Sequence, residues 1–190
     1  MNKKIKDYVK SDYLRINKDY NTLNLIKLFI RHNGFRYAVF MRAYKIYKDE
    51  NKKIRSRFIW IINKILFFNT TIEIPLGIEV GKGLYMGHFS GITINNKATL
   101  GNNISIHKGV TIGQENRGKR KGTPTIGNKV WIGINSTVVG NITIGDNVLI
   151  APNSFVNFDV PSNSIVIGNK IKSCDNATEK YIFWFIEKDI

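Results

Sequence analysis

The most regular feature of the chain is a six-residue spacing between aliphatic positions, which runs from residue 74 to residue 156. It is interrupted twice, by a step of eight after Met86 and a step of fourteen after Ile112. Thirteen anchor positions share this spacing and are all Ile, Leu, Val or Met: Ile74, Val80, Met86, Ile94, Leu100, Ile106, Ile112, Ile126, Ile132, Val138, Ile144, Ile150 and Val156. This period suits neither an amphipathic helix nor a sandwich, but hexapeptide repeats are typical of a parallel β-helix.

Each hexapeptide of such a fold forms one short strand and one corner, and its anchor points inward. Three hexapeptides close one triangular coil, so thirteen anchors predict about four stacked coils with a continuous aliphatic core. Seven anchors are followed directly by glycine, which we expect to let the backbone turn at the corners: Gly81, Gly87, Gly101, Gly113, Gly127, Gly133 and Gly145.

Three segments carry a family resemblance: GLYMGHFSGITI at 83–94, ISIHKGVTIG at 104–113 and PTIGNKVWIGINSTVVGNITIGDNVLIAPNSFV at 124–156. They resemble the left-handed β-helix acyltransferases with hexapeptide repeats, above all the serine acetyltransferase type, over roughly residues 72–170. The resemblance implies a mainly β fold with a left-handed parallel β-helix at 71–170. It also implies an acetyl-CoA donor, no metal, and a homotrimer with active sites between subunits.

Residues 1–70 predict a helical segment in front of this β-helix. We expect a short helix within 1–16, a helical region at 17–48 divided by the turn-forming pair Asn33-Gly34, and a helix from an N-cap at Ser56 to about Phe68. A last strand is expected at 165–170. Residues 171–190 form a tail whose apolar segment YIFWFI is expected to pack as a helix or strand.

The charge is concentrated in the helical segment. The net charge is +15, of which +12 falls in residues 1–70 and +3 in residues 71–190. No nucleic-acid-binding motif accompanies it, so we expect no nucleic-acid partner. The segment 52–68 consists of the apolar sequence RFIWIINKILFF and the basic residues at its start, Lys52, Lys53, Arg55 and Arg57, and it fits two interpretations. It packs against the β-helix or a neighbouring subunit, or it attaches peripherally to an anionic membrane.

The single cysteine, Cys174, excludes an internal disulfide and fits a reducing compartment. The N-terminus lacks the apolar core of a signal peptide, and no apolar run reaches the length of a membrane span. The expected location is the cytoplasm. If residues 52–68 bind lipid, we expect the protein at the inner face of the cytoplasmic membrane.

Candidate chemistry begins with the three histidines, His32, His88 and His107. His32 is expected on the surface of the helical segment. The register puts His88 and His107 on one side of the prism in adjacent coils, whose strands lie about 4.8 Å apart. His88 also lies in the widened step after Met86, and a bulge is a usual way to aim a side chain at a site.

Acetyl transfer to a hydroxyl needs a general base, and histidine suits this role near neutral pH. The resemblance implies that His88 is this base and that Glu73, which stands where the family has an aspartate, orients it. We expect His107 to act as a second acid or base or to hold a sugar hydroxyl, unless it faces a subunit interface.

Three positions depart from the serine acetyltransferase pattern. Gly87 stands in place of an acid before the catalytic histidine, Asn96 in place of another acid, and Thr123 in place of a second histidine. These departures favour a sugar hydroxyl of a surface polysaccharide or its precursor as the acceptor. Serine, as in cysteine biosynthesis, is the alternative.

The step of fourteen contains a basic, glycine-rich loop with Arg117, Lys119, Arg120 and Lys121. We expect Lys119 and Arg120 to hold coenzyme A phosphates, unless the loop is merely solvated. Trp131 precedes an anchor and is expected to point outward, where it stacks on a ligand or meets another subunit. By position, the resemblance adds three residues to the coenzyme A channel: Gly113, Ile134 and Pro152.

Two other classes of function fit the sequence less well. A γ-type carbonic anhydrase needs three histidine ligands, and only two histidines lie in the repeat region. A non-catalytic scaffold would need neither a histidine on a bulge nor a basic loop. The sequence therefore predicts an acetyl-CoA-dependent O-acetyltransferase.

Overall fold

A computed structural model describes residues 2–179 and 181 of the chain. Four helices come first: α1 Lys3–Leu14, α2 Thr22–Arg31, α3 Asn33–Asp49 and α4 Lys53–Leu66. Fourteen short strands follow: β1 Glu79–Val80, β2 Tyr85–Gly87, β3 Thr93–Ile94, β4 Thr99–Leu100, β5 Ser105–His107, β6 Thr111–Gly113, β7 Thr125–Ile126, β8 Val130–Ile132, β9 Thr137–Val139, β10 Thr143–Ile144, β11 Val148–Ile150, β12 Phe155–Val156, β13 Ser164–Ile167 and β14 Lys170–Ser173.

Successive strands belong to three different parallel sheets, so the chain winds as a β-helix. The first sheet has the order β1-β4-β7-β10 and the third has β3-β6-β9-β12. The second runs β2-β5-β8-β11-β13 and ends with β14, which is antiparallel to β13. Twelve of the thirteen anchors are at most 5% exposed, and Val80 is partly buried. The prediction of a β-helix with an aliphatic core is confirmed.

The predicted role of the glycines after the anchors is wrong. All seven are described, and none has a positive φ. Five of them are needed because the backbone of the next coil approaches closely. A Cβ on Gly101, for example, would lie 2.6 Å from the carbonyl oxygen of Gly127. The turns lie instead at the third residue after the anchor, where φ is positive and asparagine or glycine is favoured: Gly83, Asn103, Gly109, Lys129, Asn135, Asn147 and Asn153.

The helical segment is attached to the first coil through buried polar contacts. Asp12 in α1 and Arg42 in α3 form an ion pair at 2.9 Å with both side chains buried. Arg42 also donates to the carbonyl oxygens of Val80 and Gly81, and Asp12 accepts from the backbone N–H of Leu84. Because these partners lie at the end of β1 and in the turn that leads to β2, the pair fixes α1 and α3 on the β-helix.

The helix boundaries correct one prediction and confirm another. Helix α4 begins at Lys53, and Ser56 lies inside it, where its hydroxyl donates to the carbonyl of Lys53. Ser56 is therefore not the N-cap. The division near Asn33-Gly34 is confirmed, since α2 ends at Arg31 and α3 begins at Asn33.

The predicted final strand is part of the β13–β14 hairpin. The apolar segment YIFWFI, residues 181–186, lies outside the described residues except for Tyr181. Among the described helices, each is too short or too polar to cross a bilayer.

Candidate active site

His88 lies at the corner where the chain leaves β2 and enters β3. Its φ of 50° is in the left-handed region and its side chain is exposed. The two additional residues of the widened step are accommodated at this corner. Gly87 pairs with His107, so the two histidines lie in adjacent coils, as the spacing predicts.

Later coils repeat this corner directly above His88. The backbone N–H of Asn135 donates to the carbonyl of Lys108 at 3.0 Å, and that of Asn153 donates to Ile134 at 2.9 Å. Ile134 and Pro152, the residues expected to line the coenzyme A channel, therefore lie on the same edge of the prism as His88, two and three coils further along.

His107 is half-buried among aromatic rings on the outer side of the second sheet. Its ring centroid lies 6.0 Å from Tyr85 and 4.7 Å from Trp131. Its Nε2 is buried and makes no hydrogen bond to any described residue. Burial, and to a smaller extent the neighbouring His88, lowers the pKa of His107, so its imidazole is neutral near pH 7.

The His107 ring occupies the space that a side chain at position 87 would need. A Cβ on Gly87 would lie 2.9 Å from Nδ1 of His107 and 3.0 Å from Cε1 of Tyr85. An acidic residue at this position would therefore displace His107. The position of the His107 ring therefore requires glycine at position 87.

Trp131 points outward, as predicted, but it is packed rather than free. Its ring lies between His107 and Tyr181, with centroids 4.7 and 5.1 Å away. A Cβ on Gly133 would lie 2.8 Å from Cζ3 of Trp131. In this chain Trp131 supports the His107 ring.

His32 is the site residue that the sequence interpretation missed. It was expected on the surface, but it is half-buried and its ring centroid lies 6.2 Å from that of Tyr85. Burial and the proximity of His88 lower its pKa. The rings of His32 and His107 both lie about 6 Å from Tyr85 of β2, at 6.2 and 6.0 Å, and both are near enough to His88 for its charge to lower their pKa. No periodicity could have shown this, because His32 lies in the break between two helices.

Glu73 lies on the third-sheet side of the corner. Glu73 lies one coil before Thr93 and forms a parallel bridge with it. The Glu73 side chain is exposed. No hydrogen bond or ion pair joins its carboxylate to His88 within residues 2–179 and 181. The orienting role of Glu73 stays a prediction.

A groove of about 840 Å³ separates the helices from the third sheet. Its β-helix wall includes Glu73, Asn96 and Gly113, and its helical wall includes Trp60 and Lys64. Glu73 and Gly113 thus share one cavity, whose size is in the range of ligand sites.

The basic loop folds back on itself at the corner between the third and first sheets. Glu115 forms bridges with Lys121 and Gly122, and Arg120 is paired with Glu115 at 3.4 Å. Lys119, near the tip, is exposed. Thr123 donates to the carbonyl of Lys97 and so has a structural partner.

No group of three metal-ligating side chains is present in the described part of the chain. The arrangement offers an exposed imidazole on a prism edge, two neutral imidazoles beside it, and a basic loop across the third sheet. These groups suit proton transfer and the binding of an anionic ligand.

Comparisons with known proteins agree with the fold. The bacterial transferase hexapeptide family (six repeats) matches residues 123–157. A serine acetyltransferase of Helicobacter pylori is 36% identical over 122 residues, which cover 63% of this chain and 71% of that protein. One from Staphylococcus aureus is 39% identical over 126 residues, which cover 66% of this chain and 57% of that protein.

Solved structures give the same result. The serine acetyltransferase of Neisseria gonorrhoeae in complex with serine superimposes with a TM-score of 0.70 at 31% identity, covering 88% of this chain and 68% of that one. Serine acetyltransferase isoform 3 of Entamoeba histolytica, in complex with cysteine, gives 0.68 at 28%, covering 85% and 57%. The chain belongs to the hexapeptide-repeat acyltransferase family and has its left-handed parallel β-helix fold.

Proposed function

We propose that this acyltransferase moves an acetyl group from acetyl-CoA to the hydroxyl of serine, with His88 as general base. The observation that carries the proposal is the similarity to serine acetyltransferases through the β-helix, which includes the segment around His88. The polysaccharide acceptor favoured by the sequence has no support among these relatives.

The proposed reaction is a direct transfer. His88 removes the proton of the acceptor hydroxyl, and the oxygen attacks the thioester carbon. The C–S bond breaks, and His88 returns the proton to the sulfur of coenzyme A. A backbone N–H at the corner would stabilise the oxyanion. The exposed position of His88 allows both substrates to reach it.

We propose that coenzyme A extends from His88 along the edge that holds Ile134 and Pro152. The basic loop lies at a different edge, across the third sheet. Lys119 and Arg120 of one subunit would therefore reach the coenzyme A bound at the His88 edge of a neighbouring subunit. This supports a homotrimer with shared grooves, and light scattering that shows only monomers would contradict it.

One observation favours a sugar hydroxyl as a second candidate acceptor. The His107 ring fills the space above Gly87 where serine acetyltransferases carry an acid. A site without that carboxylate lacks one ion-pair partner for the ammonium group of an amino acid. A neutral polyol does not need such a partner.

The test compares purified wild type and His88→Asn in acetyl-CoA turnover with serine, simple sugars and sugar nucleotides. Asparagine suits this position because it occupies six of the other seven left-handed non-glycine positions described. Loss of a general base should lower kcat by about 10²–10⁴-fold. Near-normal turnover by His88→Asn, with unfolding unchanged, would exclude His88 as the base. Turnover with sugars but not with serine would select the second acceptor.

We also propose that α4 attaches the enzyme to the inner face of the cytoplasmic membrane. Four large apolar side chains of α4, and Phe68 just beyond its end, follow a 4-3-4-3 spacing and are 49–86% exposed: Ile54, Phe58, Ile61, Ile65 and Phe68. No acidic residue occurs between 51 and 72, and Arg57 and Lys64 flank the stripe. Between two copies of this helix those cations would repel each other, whereas an anionic bilayer complements them.

Vesicle sedimentation tests this attachment. Phe58→Ser with Ile61→Ser should abolish binding to vesicles that contain anionic lipid, while Phe155→Ser, an equally exposed apolar residue on the β-helix, should not. Equal binding by the double variant, or no binding by wild type, would contradict the proposal.

A further inference from the structure

We propose that His32 is a specificity residue of the acceptor site, whose Nε2–H donates a hydrogen bond to an acceptor oxygen next to the reacting hydroxyl. The inference rests on the proposed function, because it takes His88 as the base that deprotonates that hydroxyl. It assigns a role to a residue of the helical segment, which supplied none of the candidates above.

The tautomer of His32 follows from its position before α3. Its Nδ1 accepts the backbone N–H of Phe35 at 3.1 Å, so the side chain caps the helix. A neutral imidazole that accepts at Nδ1 carries its proton at Nε2. The burial that lowers the pKa of His32 favours this neutral form. Nε2–H is therefore available as a fixed donor.

The packing of α3 holds this donor beside the candidate base. A Cβ on Gly34 would collide with the carbonyl oxygen of Met86, so only glycine allows the helix start to approach β2 this closely. The same Cβ position lies 3.4 Å from Cε1 of His32. The His32 ring is thus next to the strand that ends immediately before His88.

The position of His32 along the prism indicates that it contacts the acetyl acceptor and not acetyl-CoA. Ile134 and Pro152, the proposed coenzyme A contacts, lie two and three coils after His88. His32 packs against Tyr85 of β2, the edge strand of the second sheet, and so lies beside the coil of His88 itself rather than beside the later coils. An oxygen bound at Nε2 of His32 would belong to the acceptor.

Two substitutions of His32 distinguish its role as the N-cap of α3 from its proposed role as a hydrogen-bond donor to the acceptor. His32→Asn keeps a side-chain acceptor for the Phe35 N–H, since asparagine is among the best N-caps, but removes the distal donor. His32→Gln keeps an N–H donor near the Nε2 position and weakens the cap. Both would be measured for thermal unfolding, kcat, and KM for each substrate, with the acceptor that wild type uses best.

His32→Asn should raise the acceptor KM by about tenfold, leaving kcat, the KM for acetyl-CoA and the unfolding temperature nearly unchanged. His32→Gln should unfold at a lower temperature but keep an acceptor KM within about threefold of wild type. An unchanged acceptor KM in His32→Asn, or losses that follow unfolding temperature in both variants, would overturn the inference.

The proposed function fails in a different way. It falls if wild type transfers acetyl to no acceptor, or if His88→Asn stays active, and the inference about His32 falls with it. A wild type that depends on His88 together with a normal His32→Asn variant overturns the inference alone.

Discussion

The contact between Gly87 and His107 predicts a measurable coupling between two positions twenty residues apart in sequence. The perturbation is Gly87→Ala, which adds a single methyl group. Its carbon would lie 2.9 Å from Nδ1 of His107, closer than Cβ atoms come to other atoms in real proteins, and 3.0 Å from Cε1 of the same ring. The ring is packed against Trp131 on its other side, at 4.7 Å, so it cannot move away freely.

The expected magnitude combines two opposing effects. Overpacking a close contact costs about 1–3 kcal/mol, whereas replacing glycine by alanine at a compatible φ stabilises by about 0.4–1 kcal/mol through the unfolded chain. Gly87→Ala should therefore lower the free energy of unfolding by about 1–2 kcal/mol. In a His107→Ala background both contacts with the imidazole are removed and only the 3.0 Å contact with Cε1 of Tyr85 remains. The same change should then cost much less, and it should stabilise by up to about 0.4–1 kcal/mol if the Tyr85 ring shifts.

Urea unfolding of the four proteins of this double-mutant cycle, at one fixed protomer concentration, measures the coupling, which should be about 1–3 kcal/mol. Gly77→Ala is the matched control, because its Cβ would meet nothing closer than 3.6 Å. A Gly87→Ala variant as stable as wild type would refute the reasoning. An equally large penalty in the His107→Ala background would refute it too.

Two other predictions concern buried charge. Asp12→Asn leaves the Arg42 guanidinium buried without its carboxylate, since the Asp12 and Arg42 side chains are 1% and 4% exposed. Urea unfolding should show a loss of about 3–5 kcal/mol, and a loss below about 1 kcal/mol would contradict this prediction. His32 and His107 should destabilise the fold in mild acid. Burial and His88 lower the pKa of both, so below their usual value of about 6.5 the unfolded chain binds more protons. Stability should be complete above about pH 6.5 and fall as the pH drops through the lowered values. Substituting both histidines by Asn should flatten this dependence, and an unchanged slope would contradict it.

The sequence alone determined the β-helix, because a six-residue period is a local property. Each anchor faces the same core whatever surrounds the prism, and twelve of thirteen are at most 5% exposed. The same register put His88 at a widened corner and His107 in the next coil. The division of the helical region at Asn33-Gly34 also followed from local turn preference.

The tertiary structure decided what depends on contacts between coils or between the two segments. The glycines after the anchors relieve crowding between stacked coils, and sequence spacing carries no measure of that distance. His32 is fifty-six residues before His88 and reaches it only because α3 packs on β2 through Gly34. The exposed stripe of α4 is likewise a result of packing, since the helix alone could equally have been buried. A periodic sequence specifies which side chains face the core, while the packing of separate elements decides which polar groups meet outside it.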